Sequence, residues 1–312
     1  MKRTVLILLV IIGMVLLGGC LSMNDSQNEN SDDQNEQTDD SSYENSDRYV
    51  SVQEYTGEGY TLANGKENDR IANDNREVIE EAVKDFFQEE YKTEVSVHQI
   101  VGNKDGATVF VESVGEPHFY TYAVIPINQA TKEIVTEGVF TQEGQVENAI
   151  MAGVYGMVFE EEFQNLTQKI KHLNEKYNLT GIRKEAIAIG ADRFSNEYYF
   201  VTIRMEEPFK EVLENYLQNP DRTTEEWRNM IDMEQIEPKN IGFAINLYMS
   251  HKSKEPNSKA FDELVKTIEN ADNIPKGIYG VFLHDNYINK TTADGYKDNS
   301  LERAYPNDIV KE

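Results

Sequence analysis

The sequence predicts an α+β fold in which antiparallel sheet meanders pack with amphipathic helices, in one body or two closely packed subdomains. Three observations predict it. A helical pattern over Asn75–Tyr91 is followed by four short apolar strands joined by tight turns. A second long helical pattern opens a half in which strands and helices alternate. The 312 residues suffice for one large domain or two small ones, so a sizeable core can form.

Lys2 and Arg3 form a positive start, and Val5–Leu17 is an uncharged apolar run broken only by Gly13. That run is shorter than the roughly 20 apolar residues a spanning helix needs. It fits the apolar core of a secretory signal over residues 1–19. Leu17-Gly18-Gly19-Cys20 stands where the cleavage site belongs, and it resembles the lipobox of bacterial lipoproteins. The resemblance implies a diacylglycerol thioether on Cys20 and anchoring at the outer face of the cytoplasmic membrane. The chain has a single cysteine, and it sits at the position this chemistry requires. Two acyl chains anchor stably where one is marginal.

Residues 20–48 form the lipidated cysteine and an acidic tether. Leu21–Arg48 carries acids throughout and one base, Arg48, with almost nothing apolar. Such a segment cannot bury enough surface to offset its chain entropy, so disorder is predicted. Its Asp runs do not match a calcium loop, which needs alternating oxygen ligands, a fixed Gly and a terminal Glu.

The body begins at Tyr49, and residues 49–142 read as one α+β unit, a helix followed by a strand meander. Asp74 and Glu77 are spaced as a capping box. Val78, Ile79, Ala82, Val83, Phe86 and Phe87 make one helical face. Strands follow at Glu94–Val101, Ala107–Ser113, His118–Ile127 and Glu133–Phe140, and the short links between them predict hairpins. Residues 143–285 form the second α+β unit. It opens with one long helix from about Gln145 to Tyr177, apolar at first and then amphipathic. Ala149 with Gly153, and Ala152 with Gly156, permit close approach of another backbone. Strands are expected at Glu185–Gly190, Glu197–Met205, Ile241–Met249 and Ile278–Leu283. Helices are expected at Phe209–Leu217, Glu225–Met233 and Ser258–Asn270. Thr223 and Glu226 make a second capping box. Residues 286–312 are a polar tail, expected to be loose.

Thirty Lys+Arg stand against 56 Asp+Glu, for a formal charge of −26. Removing Lys2 and Arg3 takes this to −28. The balance argues against nucleic acid, because no cations are spare to displace phosphate counterions. One cysteine excludes an internal disulfide framework and a thiolate metal cluster. The histidines, His98, His118, His172, His251 and His284, show no helical metal spacing. Val111-Glu112-Ser113-Val114-Gly115 lacks the first Gly of a nucleophile elbow. No phosphate loop or dinucleotide fingerprint is present, and no cofactor or metal is expected. Carboxylates are so numerous that paired acids carry almost no information.

Two segments are less ordinary. Tyr55-Thr56-Gly57-Glu58-Gly59-Tyr60 follows the tether, and Gly115-Glu116-Pro117-His118-Phe119-Tyr120-Thr121-Tyr122 puts a His at the entrance of an aromatic strand. Tyrosine offers apolar area with one polar tip. Tyr55, Tyr60, His118, Tyr120 and Tyr122 are therefore the candidate binding surface, set against plain burial of both segments.

Signal, lipobox, acidic tether and these two segments, the second extended back to Val109, resemble a family of uncharacterised Gram-positive lipoproteins, domain of unknown function 1672. The resemblance implies a location and a lipid anchor, and it brings no activity and no site residues. The reading is a lipid-anchored surface module, non-enzymatic, that binds an extracellular partner or envelope component. An extracytoplasmic hydrolase with an Asp/Glu/His site is the alternative. It requires a His in a pocket within hydrogen-bond reach of a carboxylate. A two-lobed solute-binding lipoprotein is disfavoured by the hairpin-rich first half.

Overall fold

The computed structural model describes residues 46–312 apart from 192, 253 and 254. The signal segment 1–19, Cys20 and the tether up to residue 45 lie outside the described residues.

The first half is β1 (Tyr49–Ser51), α1 (Lys66–Asp74), α2 (Arg76–Tyr91), β2 (Val95–Gly102), β3 (Gly106–Ser113) and β4 (Tyr120–Pro126). β2, β3 and β4 pair as an antiparallel meander. Its inner face, with Val95, Val109, Val111, Ala123 and Ile125, joins the core beside Ile79, Val83 and Phe87 of α2. The expected fourth strand, Glu133–Phe140, is reduced to bridges at Ile134 and Phe140 around a 3₁₀ turn over Thr136–Gly138. Glu133, Thr136 and Glu137 are exposed there, so little burial rewards a full ladder. The first capping box does not form. α1 precedes α2 directly, and the Asn75 side-chain Nδ2 donates to the Ile71 carbonyl at 2.8 Å, closing α1.

Next come α3 (Gln145–Val158), α4 (Glu160–Tyr177), β5 (Leu179–Thr180), α5 (Lys184–Ile187), β6 (Phe194–Ser195), β7 (Tyr199–Ile203), α6 (Phe209–Gln218) and α7 (Thr224–Met230). The single long helix of the sequence reading is two helices, broken at Phe159 (φ −107°, ψ 32°). α3 is buried on nearly every side, whereas α4 is amphipathic, so one straight rod would carry apolar α3 away from the core or α4 into it. The freed Val158 carbonyl accepts from Arg228 Nη2 at 2.7 Å. The Thr223–Glu226 box forms in full: the Glu226 amide donates to Thr223 Oγ1, and the Thr223 amide donates to the Glu226 carboxylate at 2.8 Å.

The small-residue stripe of α3 seats two neighbours. A Cβ on Gly153 would lie 2.8 Å from the His118 carbonyl oxygen, and one on Gly156 would lie 2.9 Å from the Phe194 ring. Glu185–Gly190, expected as a strand, holds the short helix α5. Ile187, Ala188 and Ala191 pack on Tyr120, at helical rather than alternating spacing.

The chain ends with β8 (Ile241–Met249), α8 (Ser258–Glu269), β9 (Gly277–His284), β10 (Tyr287–Asn289), β11 (Leu301–Arg303) and β12 (Ile309–Lys311). The larger sheet runs β11-β9-β8-β7-β6, with β12 also on β9 and β5 on β8. Its pairs are antiparallel except β8 with β9, which are joined through α8. The polar tail is not loose: β10 pairs with β1, and β11 and β12 pair with β9. Lys297 anchors it. Its side chain is 1% exposed, pairs with Asp285 at 2.8 Å, and donates to the Tyr287 and Gly295 carbonyls. His284 lies beside it, bonded to Ser300 and Asn246. Burial first, and then Lys297, push its imidazole down to about 3. Among the described residues no helix is long and apolar enough to cross a membrane.

Candidate functional site

The outer face of the three-stranded sheet follows from the pleat. On β3, Val109 and Val111 face the core, so Phe110 and Glu112 face out. On β4, Ala123 and Ile125 face in, so Tyr120 and Tyr122 face out. The register sets Glu112 opposite Tyr120 and Phe110 opposite Tyr122. In β2 the pairing slips between Val97 and Gln99, making His98 a bulge residue. A bulge re-aims its side chain.

These devices converge on one carboxylate. Glu112 Oε2 lies 2.6 Å from His98 Nε2, and Glu112 Oε1 lies 2.6 Å from His118 Nε2. The Tyr120 ring packs edge-on against His118 at 5.1 Å. Burial alone would raise the Glu112 carboxyl, but hydrogen bonds from His118 and His98 outweigh it and hold the group below its ordinary range. Burial, and then the Glu112 charge, push the Tyr120 phenol well up. An ionised Glu112 can only accept, so each imidazole donates its Nε2–H in these two bonds.

His118 also opens onto a groove of about 500 Å³ between α3, α4 and the start of β6 and β7. Phe163 and Phe194 line it, with Thr167, Gln168 and Asn196 as polar groups. Among the described residues, no hydroxyl or thiol is hydrogen-bonded to His98 or His118. Ser113, the nearest serine in sequence to His118, donates to the Pro117 carbonyl and accepts from the Phe119 amide. Among the described residues, no three His, Cys, Asp or Glu are set to hold a metal ion.

The candidate residues divide. His118, Tyr120, Tyr122 and Tyr60 come to one sheet face, where Tyr60 and Tyr122 pack on Phe110 at 5.7 and 5.8 Å. Tyr60 reaches that face over Gly57, whose φ of +92° suits glycine and whose Cβ would meet Ile189 at 2.4 Å. Tyr120 is buried. Tyr55 is also buried, packs instead with Ala186 and Ile288, and donates to the Lys290 carbonyl. Sequence reasoning missed His98, Glu112 and Phe194. The meander already implied that Glu112 shares a face with Tyr120, but nothing in the sequence marks the bulge.

A family model described as protein of unknown function, DUF1672, matches residues 42–311. The chain belongs to this family. A crystal structure of a DUF1672 family protein from Staphylococcus aureus is similar, with a TM-score of 0.68 at 18% identity, covering 85% of this chain and 98% of that one. At that identity the likeness shows the fold. A DUF5037 family protein from Ruminococcus gnavus aligns with a TM-score of 0.26 at 12% identity, over 67% of this chain and 76% of that one. No curated protein sequence matches the chain.

Proposed function

We propose that this member of the DUF1672 family is a lipid-anchored, extracytoplasmic surface protein. Acyl chains on Cys20 hold it at the outer face of the cytoplasmic membrane, and the acidic tether lifts the body clear. The apolar run Val5–Leu17, followed by Gly18-Gly19 and the single cysteine, supports the anchor. The body is a non-enzymatic binding module, and the observation that carries this is the groove beside His118. It has the size of a ligand site and convergent polar groups, and no nucleophile is bonded to its histidine among the described residues.

A second reading, an extracytoplasmic hydrolase, is favoured by one geometry. His118 lines the groove and its Nε2 lies 2.6 Å from Glu112, the histidine–carboxylate pairing that general-base catalysis uses. Turnover of a groove-bound ligand, lost in His118→Ala while binding persists, would select that reading.

The anchor is tested by the intact mass of protein from the host membrane fraction, beside Cys20→Ala. The expected mass is a chain beginning at Cys20 plus diacylglycerol, lost in the variant. An unprocessed chain without lipid overturns the proposal.

A further inference from the structure

The groove has direction. α4 lines it with Glu160, Gln164, Gln168 and Lys171, a single helical stripe. Eleven residues at the helical rise make this stripe about 16 Å long. The opposite wall runs the same way. Phe194 lies over Gly156, just before α4. Further along, the Tyr199 hydroxyl meets Thr167 Oγ1 at 2.9 Å.

Charge is split along this length. Glu116 and Glu160 line the end that holds His118 and Phe194, and Lys171 lines the other. Lys171 is exposed and has no ion-pair partner among the described residues. Between the ends stand carboxamides, each able to donate and accept. Asn196 Oδ1 already accepts from the Tyr198 and Tyr199 amides, which leaves its Nδ2 hydrogens as donors. Gln164 donates to Glu160 at 2.9 Å, which leaves its Oε1 as acceptor. Gln168 has neither atom engaged among the described residues.

We infer that the groove along α4 binds a short extended peptide, with its amino group at Glu116 and Glu160 and its carboxylate at Lys171. Alternating backbone donors and acceptors match the carboxamide stripe. The length fits about five residues at the strand rise. Phe194 gives an apolar contact near the amino end. This rests on the binding-module reading and names its ligand class.

The test is titration calorimetry on the full chain in detergent micelles, with pentaalanine bearing free ends. Binding is expected, weakened about fivefold by C-terminal amidation and about fivefold by N-acetylation, the weight of one exposed ion pair. Lys171→Glu should weaken the free peptide and leave the amidated one unchanged. Glu160→Lys should weaken the free peptide and leave the acetylated one unchanged. Both side chains are exposed, so the fold tolerates the changes. Equal binding of free and blocked peptides, or variants that weaken every peptide alike, overturns the inference. Chitotetraose bound in place of pentaalanine overturns the peptide and leaves the binding module standing. With neither bound, the peptide assignment and the groove reading fall together.

Discussion

Acidification from pH 8 to pH 5 should cost this fold about 2 kcal/mol through His284 alone. The imidazole is 2% exposed and sits among Tyr248, Phe282 and Tyr296, with its nitrogens on Ser300 and Asn246. Burial, with Lys297 beside it, holds its pKa at about 3, against 6.5 for the ordinary group. The sign follows from linkage. The unfolded chain takes up the proton first, so the contribution of neutral His284 is complete above the unfolded value. It is lost as pH falls from there toward 3. At pH 5 the gap from the unfolded value is about 1.5 units, at about 1.4 kcal/mol each. The assay is urea unfolding of the native chain and of His284→Asn at pH 8 and pH 5. The variant starts less stable because its bonds to Ser300 and Asn246 are disturbed, and the deficit should narrow by about 2 kcal/mol at pH 5. Equal losses in both proteins would show that His284 does not resist protonation in the fold.

Lys297→Met should destabilise by about 3–5 kcal/mol, because it strands the buried Asp285 carboxylate. Denaturant titration checks this, and adding Asp285→Leu should recover part of the loss. Glu112→Ala leaves both imidazoles without their acceptor and should cost about 1–3 kcal/mol by the same measurement. The Glu112 carboxyl is held low, so its contribution is present above the ordinary carboxylate range and is lost as pH falls through its depressed value. In Glu112→Gln that part of the acid loss should disappear. Gly156→Leu drives a side chain into the Phe194 ring and should cost about 1–3 kcal/mol, read as a lower melting temperature.

The elements with strong periodicity were legible in the sequence. The apolar face of α2 needed only burial on one side to be read, and the short turns around β3 and β4 marked their hairpins. Long-range decisions were not legible. Whether α3 and α4 form one rod depends on what α3 packs against, and Phe159 gives no local sign of a break. α5 reads as a strand because Ala186, Ile187, Ala188 and Ile189 fit either period over so short a run. The tail looks loose until Lys297 finds Asp285 and the β9 edge finds β11 and β12. In the candidate site, His118 was legible as a histidine at a strand entrance. Its carboxylate was not, because the shared Glu112 depends on hairpin register and on the bulge at His98.

The proposed anchor would set the body outside the cytoplasmic membrane on a tether. Protease treatment of intact host protoplasts tests it most directly. Residues 46–312 should be released or digested while a cytoplasmic control survives, and Cys20→Ala should lower the membrane-bound share. A body protected until the protoplasts are lysed would contradict it.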